Sequence, residues 1–465
     1  MRGIADVFIS KGMSAVGYQY VNIDDCWAQS SRNSSGGLVA KPQAFPQGMR
    51  SLADYIHAKG LKLGIYTDVG TSTCATCYGG NNPQGLPGLL DHEQQDCDTF
   101  VAWGIDYVKV DYCCAGGASG GNARIAYTKV RDCLTNAVTR MKSKVTDAHP
   151  LVYSICNWGE QAPWTWGDTI GNLWRATGDI NSSWASVLKN MDSTQNYHAY
   201  TRIGSWNDPD MMEVGIGDFV TNYAKARAHF SLWSMMVSPL IAGNDIRTMN
   251  DSIKSILINK DVIDIDQDTL GGDTTKGLIQ GRRIIQGNSE VWVKLLKGQK
   301  NSDYAILFFN RGNSGAVTIS VTTTQIAQLG GDIASGKLYK VRDLWKHTAL
   351  ADWTAGGNIT SPSIPVNDVY MIRLSLPPSV ATLPLASVKV STINLRSEGE
   401  SVIIHGLKSG SMSVKLVNLR GVEVYSQDLA GSMDCRISAK SLPRGVYIVN
   451  VNNVTEHFEQ KVFLK

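Results

Sequence analysis

Three features of this 465-residue sequence predict an α/β chain built as a (β/α)8 barrel followed by two antiparallel β-domains. Short apolar runs alternate with helical stretches as far as about residue 270, which implies a parallel sheet. Acidic and amide residues stand just past the C-terminal ends of those runs, where barrel enzymes gather their sites. Beyond about residue 275 the apolar period changes to two, the signature of half-buried antiparallel strands.

The chain opens on Met1-Arg2-Gly3 and an amphipathic stretch from Ile4 to Val16, which lacks the apolar run and cleavage site of a signal peptide. Candidate strands follow at Tyr20 to Ile23, Lys62 to Tyr66, Tyr107 to Val110, Val152 to Ile155, Leu173 to Arg175, Ile203 to Trp206 and Pro239 to Ile241. Between them, Leu52 to Lys59 closed by Gly60, and Asn122 to Lys142, carry helical spacing. Seven candidate strands fall one short of a closed barrel, so the first strand is expected to be missing from this chain.

Asp24 and Asp25, Asp68, Asp111, Asn157, Arg175 with Asp179, Asp208 with Asp210, and Asn244 with Asp245 follow successive runs. Helix capping accounts for some of these taken singly. It accounts poorly for Asp111 so soon after Lys109, or for an Asp-Asp pair followed by Cys-Trp. Further on, Val291 to Leu296, Tyr304 to Phe309 before an Asn-Arg-Gly turn, and Val369 to Leu374 alternate as strands. Alternation returns in Gly445 to Val451 and Lys461 to Lys465. The expected domains are a barrel over 1–272, a β-sandwich over 273–376, a proline-bearing linker over 377–386 and a small all-β domain over 387–465.

Lys and Arg number 44 against 41 Asp and Glu, a net charge of +3 with no basic cluster, so nucleic acid is not an expected partner. No run of about 20 apolar residues suits a membrane span. The 12 Trp and 45 Gly beside only 18% charged residues suit neutral, hydroxyl-rich ligands. Nine cysteines leave at least one unpaired. Cys74, Cys77, Cys113 and Cys114 can be drawn as a zinc site, but adjacent cysteines fit one tetrahedral ion badly. Disulfides among them are favoured, and with them an oxidising compartment.

None of the eight histidines directly follows a candidate barrel strand, which argues against a catalytic metal. There is no Gly-x-Ser-x-Gly elbow and no phosphate-binding glycine loop. Glycan hydrolysis by paired carboxylates remains, and it needs neither metal nor organic cofactor. In Lys109-Val110-Asp111 the first and third side chains share a face, so the ammonium favours an ionised Asp111, a nucleophile for an acetal carbon. Asp179, four residues after Arg175, is free to be the second carboxyl, partly desolvated and protonated, donating to a leaving oxygen.

At these residues the chain resembles glycoside hydrolase family 27, the α-galactosidases or melibiases. The matching blocks run in family order as far as about residue 375: Tyr20-Val-Asn-Ile-Asp-Asp-Cys-Trp27, Gly60-Leu-Lys-Leu-Gly-Ile-Tyr66, His92-Glu-Gln-Gln-Asp96, Tyr107-Val-Lys-Val-Asp111, Trp206-Asn-Asp-Pro-Asp-Met211 and Pro239-Leu-Ile-Ala-Gly-Asn-Asp245. The resemblance implies exo-acting, retaining removal of α-linked D-galactose, with Asp111 as nucleophile and Asp179 as acid/base. A retaining pair stands about 5 to 5.5 Å apart. By the same resemblance Asp24 and Asp25 read the 4- and 6-hydroxyls, Lys109 and Arg175 donate to other ring hydroxyls, and Asp210 is a further substrate-side carboxylate. Trp27 is an apolar wall beside the sugar. Cys156-Asn157-Trp158 faces the 2-position and favours a free hydroxyl over an acetamido group. Asp25, where the related arabinopyranosidases carry Glu, argues for galactose. Cys74 and Cys113 match the family's disulfide beside the nucleophile; the pairing of Cys77 and Cys114 stays open.

The family's opening strand, with its Met-Gly-Trp-Asn-Ser-Trp type segment, has no counterpart here, and Cys26 is expected to lack a partner. The last 80 or so residues resemble the type A sorting domain of type IX secretion, through Val417-Asn-Leu-Arg-Gly421, Ser441-Leu-Pro-Arg-Gly-Val-Tyr447 and the terminal Lys-Val-Phe-Leu-Lys. That implies the secretion machinery as a partner and a secreted or cell-surface location, the export signal being expected with the missing N-terminal segment.

Overall fold

The computed structural model describes residues 1–78, 85–117, 119–269, 279–298, 302–331, 333–377, 394–398, 401–405, 411–418, 422–430, 435–438, 440–452 and 457–464. The chain divides into two compact units, Met1–Pro378 and Ser379–Lys465. The linker expected over 377–386 lies, from residue 378 onward, outside the described residues.

In the first unit six parallel strands stand side by side in chain order: β1 (Tyr20–Asn22), β2 (Lys62–Asp68), β3 (Tyr107–Asp111), β4 (Val152–Cys156), β5 (Leu173–Arg175) and β6 (Trp206–Asp208). Helices α1 (Arg2–Ser10), α2 (Gly48–His57), α3 (Cys74–Cys77), α4 (Glu93–Ala102), α5 (Ala123–Met141), α6 (Trp184–Thr194), α7 (Tyr223–Met235), α8 (Asp251–Leu257) and α9 (Lys260–Gln267) accompany them. Sequence explains the helix bounds. Met49, Leu52, Ala53 and Ile56 recur at helical spacing and are the buried face of α2. Asn122 opens α5 by accepting from the Ile125 N–H at 3.1 Å, and Asn222 does the same for α7 from Lys225.

Two expected strands differ. The sixth begins at Trp206, because Arg202 and Ser205 bridge across a turn in which Gly204 takes φ +78° and Ile203 is exposed. The Pro239 to Ile241 run forms no strand. Proline supplies no N–H to a ladder and the Ile241 N–H turns back to the Pro239 carbonyl, so a single parallel bridge, Met212 to Ala242, forms just after the run. No α-helix lies between β4 and β5, only 3-10 turns at Pro163–Thr165 and Gly167–Thr169.

Val21, Leu63, Ile65, Val108, Val110 and Trp174 of the sheet form one core with Ala53, Ile56, Phe100, Tyr127 and Val130 of the helices. Each large apolar side chain buried there stabilises the fold by roughly 1.5–3 kcal/mol. A second core joins Phe230 and Trp233 of α7 to Trp292, Leu307 and Met371 of the following sheet. That sheet is antiparallel, in the order Thr348–Ala349, Leu338–Asp343, Val369–Ser375, Asp303–Asn310, Ser289–Leu296, Arg282–Ile285, with Trp353–Thr354 pairing Leu338–Asp343 off the path. The C-terminal unit has a three-stranded sheet (Asn394–Glu398, Ser401–His405, Cys435–Ser438) and a four-stranded one (Glu423–Ala430, Ser411–Asn418, Gly445–Asn452, His457–Leu464).

Register positions the site. Asp68 of β2 pairs with Asp111 of β3, Asp111 with Cys156 of β4, and Arg175 of β5 with Asp208 of β6. The polar strand ends are therefore neighbours along one rim.

Candidate active site

Asp111 ends β3 and is only 4% exposed. One oxygen accepts from the Tyr112 N–H at 3.0 Å. Burial pushes its carboxyl up to about 6, against the pull of Lys109, the Tyr112 N–H, the Cys156 thiol and Arg175. Desolvation thus outweighs the cation, which on sequence grounds was expected to favour the charged form. Lys109 Nζ lies 2.9 Å from Asp24 Oδ2 and 5.2 Å from the centre of the Tyr66 ring. Burial opposes its charge, but Cys156, Asp24 and Asp111 beside it hold the ammonium protonated.

The loop after β1 turns on Cys26, whose φ is +69°. Asp24 Oδ1 accepts from the Asp25 N–H at 2.8 Å, while its side chain is 67% exposed toward the mouth beside Lys109. Asp25 is braced by its own loop and by α3, accepting from the Cys26 N–H at 2.6 Å and the Ala75 N–H at 2.9 Å. Trp27 is elsewhere. Its indole N–H donates to the Tyr66 carbonyl at 2.8 Å and its ring meets Trp103 edge-on at 5.7 Å. The structure thus places this ring in the core, correcting the expectation of a wall beside the sugar.

Cys156, the last residue of β4, and Asn157 after it are buried. Asn157 Nδ2 donates to the Glu160 carbonyl, and its Oδ1 has no partner among the described residues. The chain then runs through left-handed Trp158 (φ +53°) and Gly159 (φ +85°). A Cβ on Gly159 would stand 2.6 Å from the Ala176 carbonyl oxygen, so only glycine fits this close approach.

Arg175 is 5% exposed and gathers the far side of the mouth. Its Nη2 lies 2.9 Å from Asp179 Oδ1 and 2.6 Å from Asp210 Oδ2, and its Nη1 is 3.8 Å from Cys156 Sγ. The Asp179 side chain is 78% exposed, so the partial desolvation expected of it is absent. The two candidate carboxyls thus have unlike surroundings in the opposite sense from the expected one: Asp111 is the buried member and Asp179 the open one.

Disulfides Cys74–Cys113 and Cys77–Cys114 tie the loops after β2 and β3 together, and Cys97–Cys133 joins α4 to α5. The first is the pair that the resemblance implies; the third was not foreseen, although both its cysteines lie on buried helix faces. Cys26, Cys156 and Cys435 are free thiols. Asp68, Cys74, Asp111 and Cys113 approach within 4.8 Å of one another. Their two sulfurs are bonded together, so this set offers no thiolate to a metal. Sequence reasoning gave Asp68 no role. It is wholly buried and accepts from the Gly70 and Cys113 N–H groups, both at 2.7 Å, bracing the loop beside Asp111. Its place just past the Lys62 to Tyr66 run, like that of Asp111 past Tyr107 to Val110, is the signal that was available.

A carboxylate-lined rim at the C-terminal ends of a parallel sheet places this chain among the glycosidases. The chain belongs to the alpha galactosidase A family, whose model matches residues 1–268. Residues 286–374 match the alpha galactosidase C-terminal beta sandwich domain and residues 392–465 a secretion system C-terminal sorting domain. The chain is 43% identical over 388 residues to Alpha-galactosidase A of Cellvibrio japonicus, covering 81% of this chain and 87% of that one. It is 41% identical over 348 residues to Alpha-galactosidase 2 of Arabidopsis thaliana, covering 75% and 78%. Among solved structures, alpha-galactosidase I from Mortierella vinacea matches with a TM-score of 0.69 at 31% identity, over 81% of this chain and 92% of that one. The sorting domain marks a secreted or cell-surface protein. No helix among the described residues is long and apolar enough to cross a membrane.

Proposed function

We propose that this chain removes terminal α-linked D-galactose from oligosaccharides or polysaccharides by double displacement, with Asp111 as nucleophile and Asp179 as acid/base. A carboxylate oxygen of Asp111 attacks the anomeric carbon while the glycosidic C–O bond breaks and the Asp179 proton passes to the departing oxygen. Asp179 then takes a proton from water, the water oxygen attacks the same carbon, and the ester to Asp111 is released. The observation that carries this reading is the pairing of a buried carboxyl at the end of β3 with an open one resting on Arg175 after β5. Burial leaves Asp111 poorly solvated and nucleophilic once ionised; exposure leaves Asp179 free to exchange protons with leaving group and water.

Asp24, Asp25, Lys109, Arg175 and the Cys156-Asn157-Trp158 turn surround the sugar in this reading. The unpartnered, buried Asn157 Oδ1 is an acceptor for a hydroxyl at the 2-position. The C-terminal domain engages the secretion machinery. The test is release of nitrophenol from 4-nitrophenyl α-D-galactoside, with Asp111→Asn as control and the product anomer followed by NMR. Turnover that gives α-galactose first and vanishes in the variant supports the reading. Inverted product, or faster turnover of the α-N-acetylgalactosaminide or β-L-arabinopyranoside, sinks it.

A further inference from the structure

We infer that Asp210 is a positioning residue that holds Asp179 in place to donate its proton, and is not a contact to the sugar. The inference rests on Asp179 being the acid/base. Asp210 is a non-glycine residue at φ +88°, a conformation that persists only where the surroundings over-determine it. Its surroundings do so. The Asp210 N–H donates to Asp208 Oδ1 at 2.8 Å, and the Trp233 indole N–H donates to the Asp210 carbonyl at 2.9 Å.

Both carboxylate oxygens are already in use. Oδ1 accepts from the Met211 N–H at 2.7 Å; Oδ2 accepts from the Ile180 N–H at 2.9 Å and lies 2.6 Å from Arg175 Nη2. Ile180 directly follows Asp179 in the chain, and the same Nη2 donates to Asp179 Oδ1 at 2.9 Å. Asp210 therefore grips both the backbone that carries Asp179 and the guanidinium on which its carboxyl rests. Asn190 of α6 stitches the same two loops, donating to the Gly178 carbonyl at 3.2 Å and the Pro209 carbonyl at 3.0 Å. An open carboxyl such as Asp179 needs this clamp, because proton transfer requires it within hydrogen-bond reach of the leaving oxygen.

The experiment compares kcat/KM of parent and Asp210→Asn on two substrates. The leaving group of α-D-galactosyl fluoride departs with little help from an acid; that of melibiose must be protonated. If Asp210 positions the acid, Asp210→Asn loses about 10²-fold or more on melibiose and less than about 10-fold on the fluoride. The ratio is independent of how much of the preparation is folded. Should Asp210→Asn not fold, Asp208→Asn, which weakens the hold on the Asp210 N–H, shows the same split more mildly. Equal losses on both substrates, or a KM increase common to both, overturn the inference in favour of a sugar contact. Asp179→Ala is the reference and must show the larger split. An active parent whose Asp179→Ala variant shows no split instead refutes the acid/base assignment, and a parent that hydrolyses neither substrate refutes the galactosidase reading.

Discussion

Asp111 opposes folding whenever it is charged. Its carboxyl titrates at about 6 in the folded chain, against 3.8 without burial, so the native state binds the proton more tightly between those values. Stability therefore falls as pH rises through that window, and above it the ionised group costs on the order of 2–3 kcal/mol. Asp111→Asn should remove that cost together with turnover. Its thermal midpoint is expected above the parent's at pH near 7 and level with it at pH near 3.5, where both forms are uncharged. An unchanged midpoint at neutral pH would show that Lys109 and Arg175 fully offset the burial. The sequence placed Lys109 and Asp111 on one face by strand alternation, but held no measure of how deeply that face is covered.

Strand ends decide which side chains meet, and the loops that follow them are fastened to one another. Two disulfides join the loops after β2 and β3, yet they stand differently to the site. Cys113 lies two residues past Asp111 and its N–H donates to Asp68, whereas Cys114, whose backbone also faces Asp68, carries the bond to Cys77 one residue further from Asp111. Replacing Cys77 and Cys114 by serine is expected to lower stability by about 2–4 kcal/mol with kcat little changed. Replacing Cys74 and Cys113 should lower kcat as well. Matched kinetic losses from the two pairs would show that the loops act as one rigid piece. The sixth strand and the Pro239 run show where pattern reading stops. Both are apolar runs of strand-like length, but a turn at Gly204 and the missing N–H of Pro239 set what can pair.

The molecule consists of two units whose boundary falls at Pro378 and Ser379. Every residue assigned to the site lies in the first, and the first also holds the antiparallel sheet that shares a core with α7. A chain ending at residue 377 is therefore expected to keep kcat/KM on 4-nitrophenyl α-D-galactoside within about twofold of the parent. Loss of activity in that shortened chain, with its circular dichroism intact, would show that the C-terminal unit contributes to the site.

The sequence by itself determined the class of fold and the order of the strand-end motifs. These follow from local periodicity and spacing, which survive in one dimension. Tertiary structure alone decided that Asp111 is buried and Asp179 open, that Trp27 turns into the core, and that both oxygens of Asp210 are taken by backbone and guanidinium. Burial and hydrogen-bond partners depend on groups distant along the chain. Asp210 and Ile180, 30 positions apart, meet only once the sheet has brought β5 and β6 side by side.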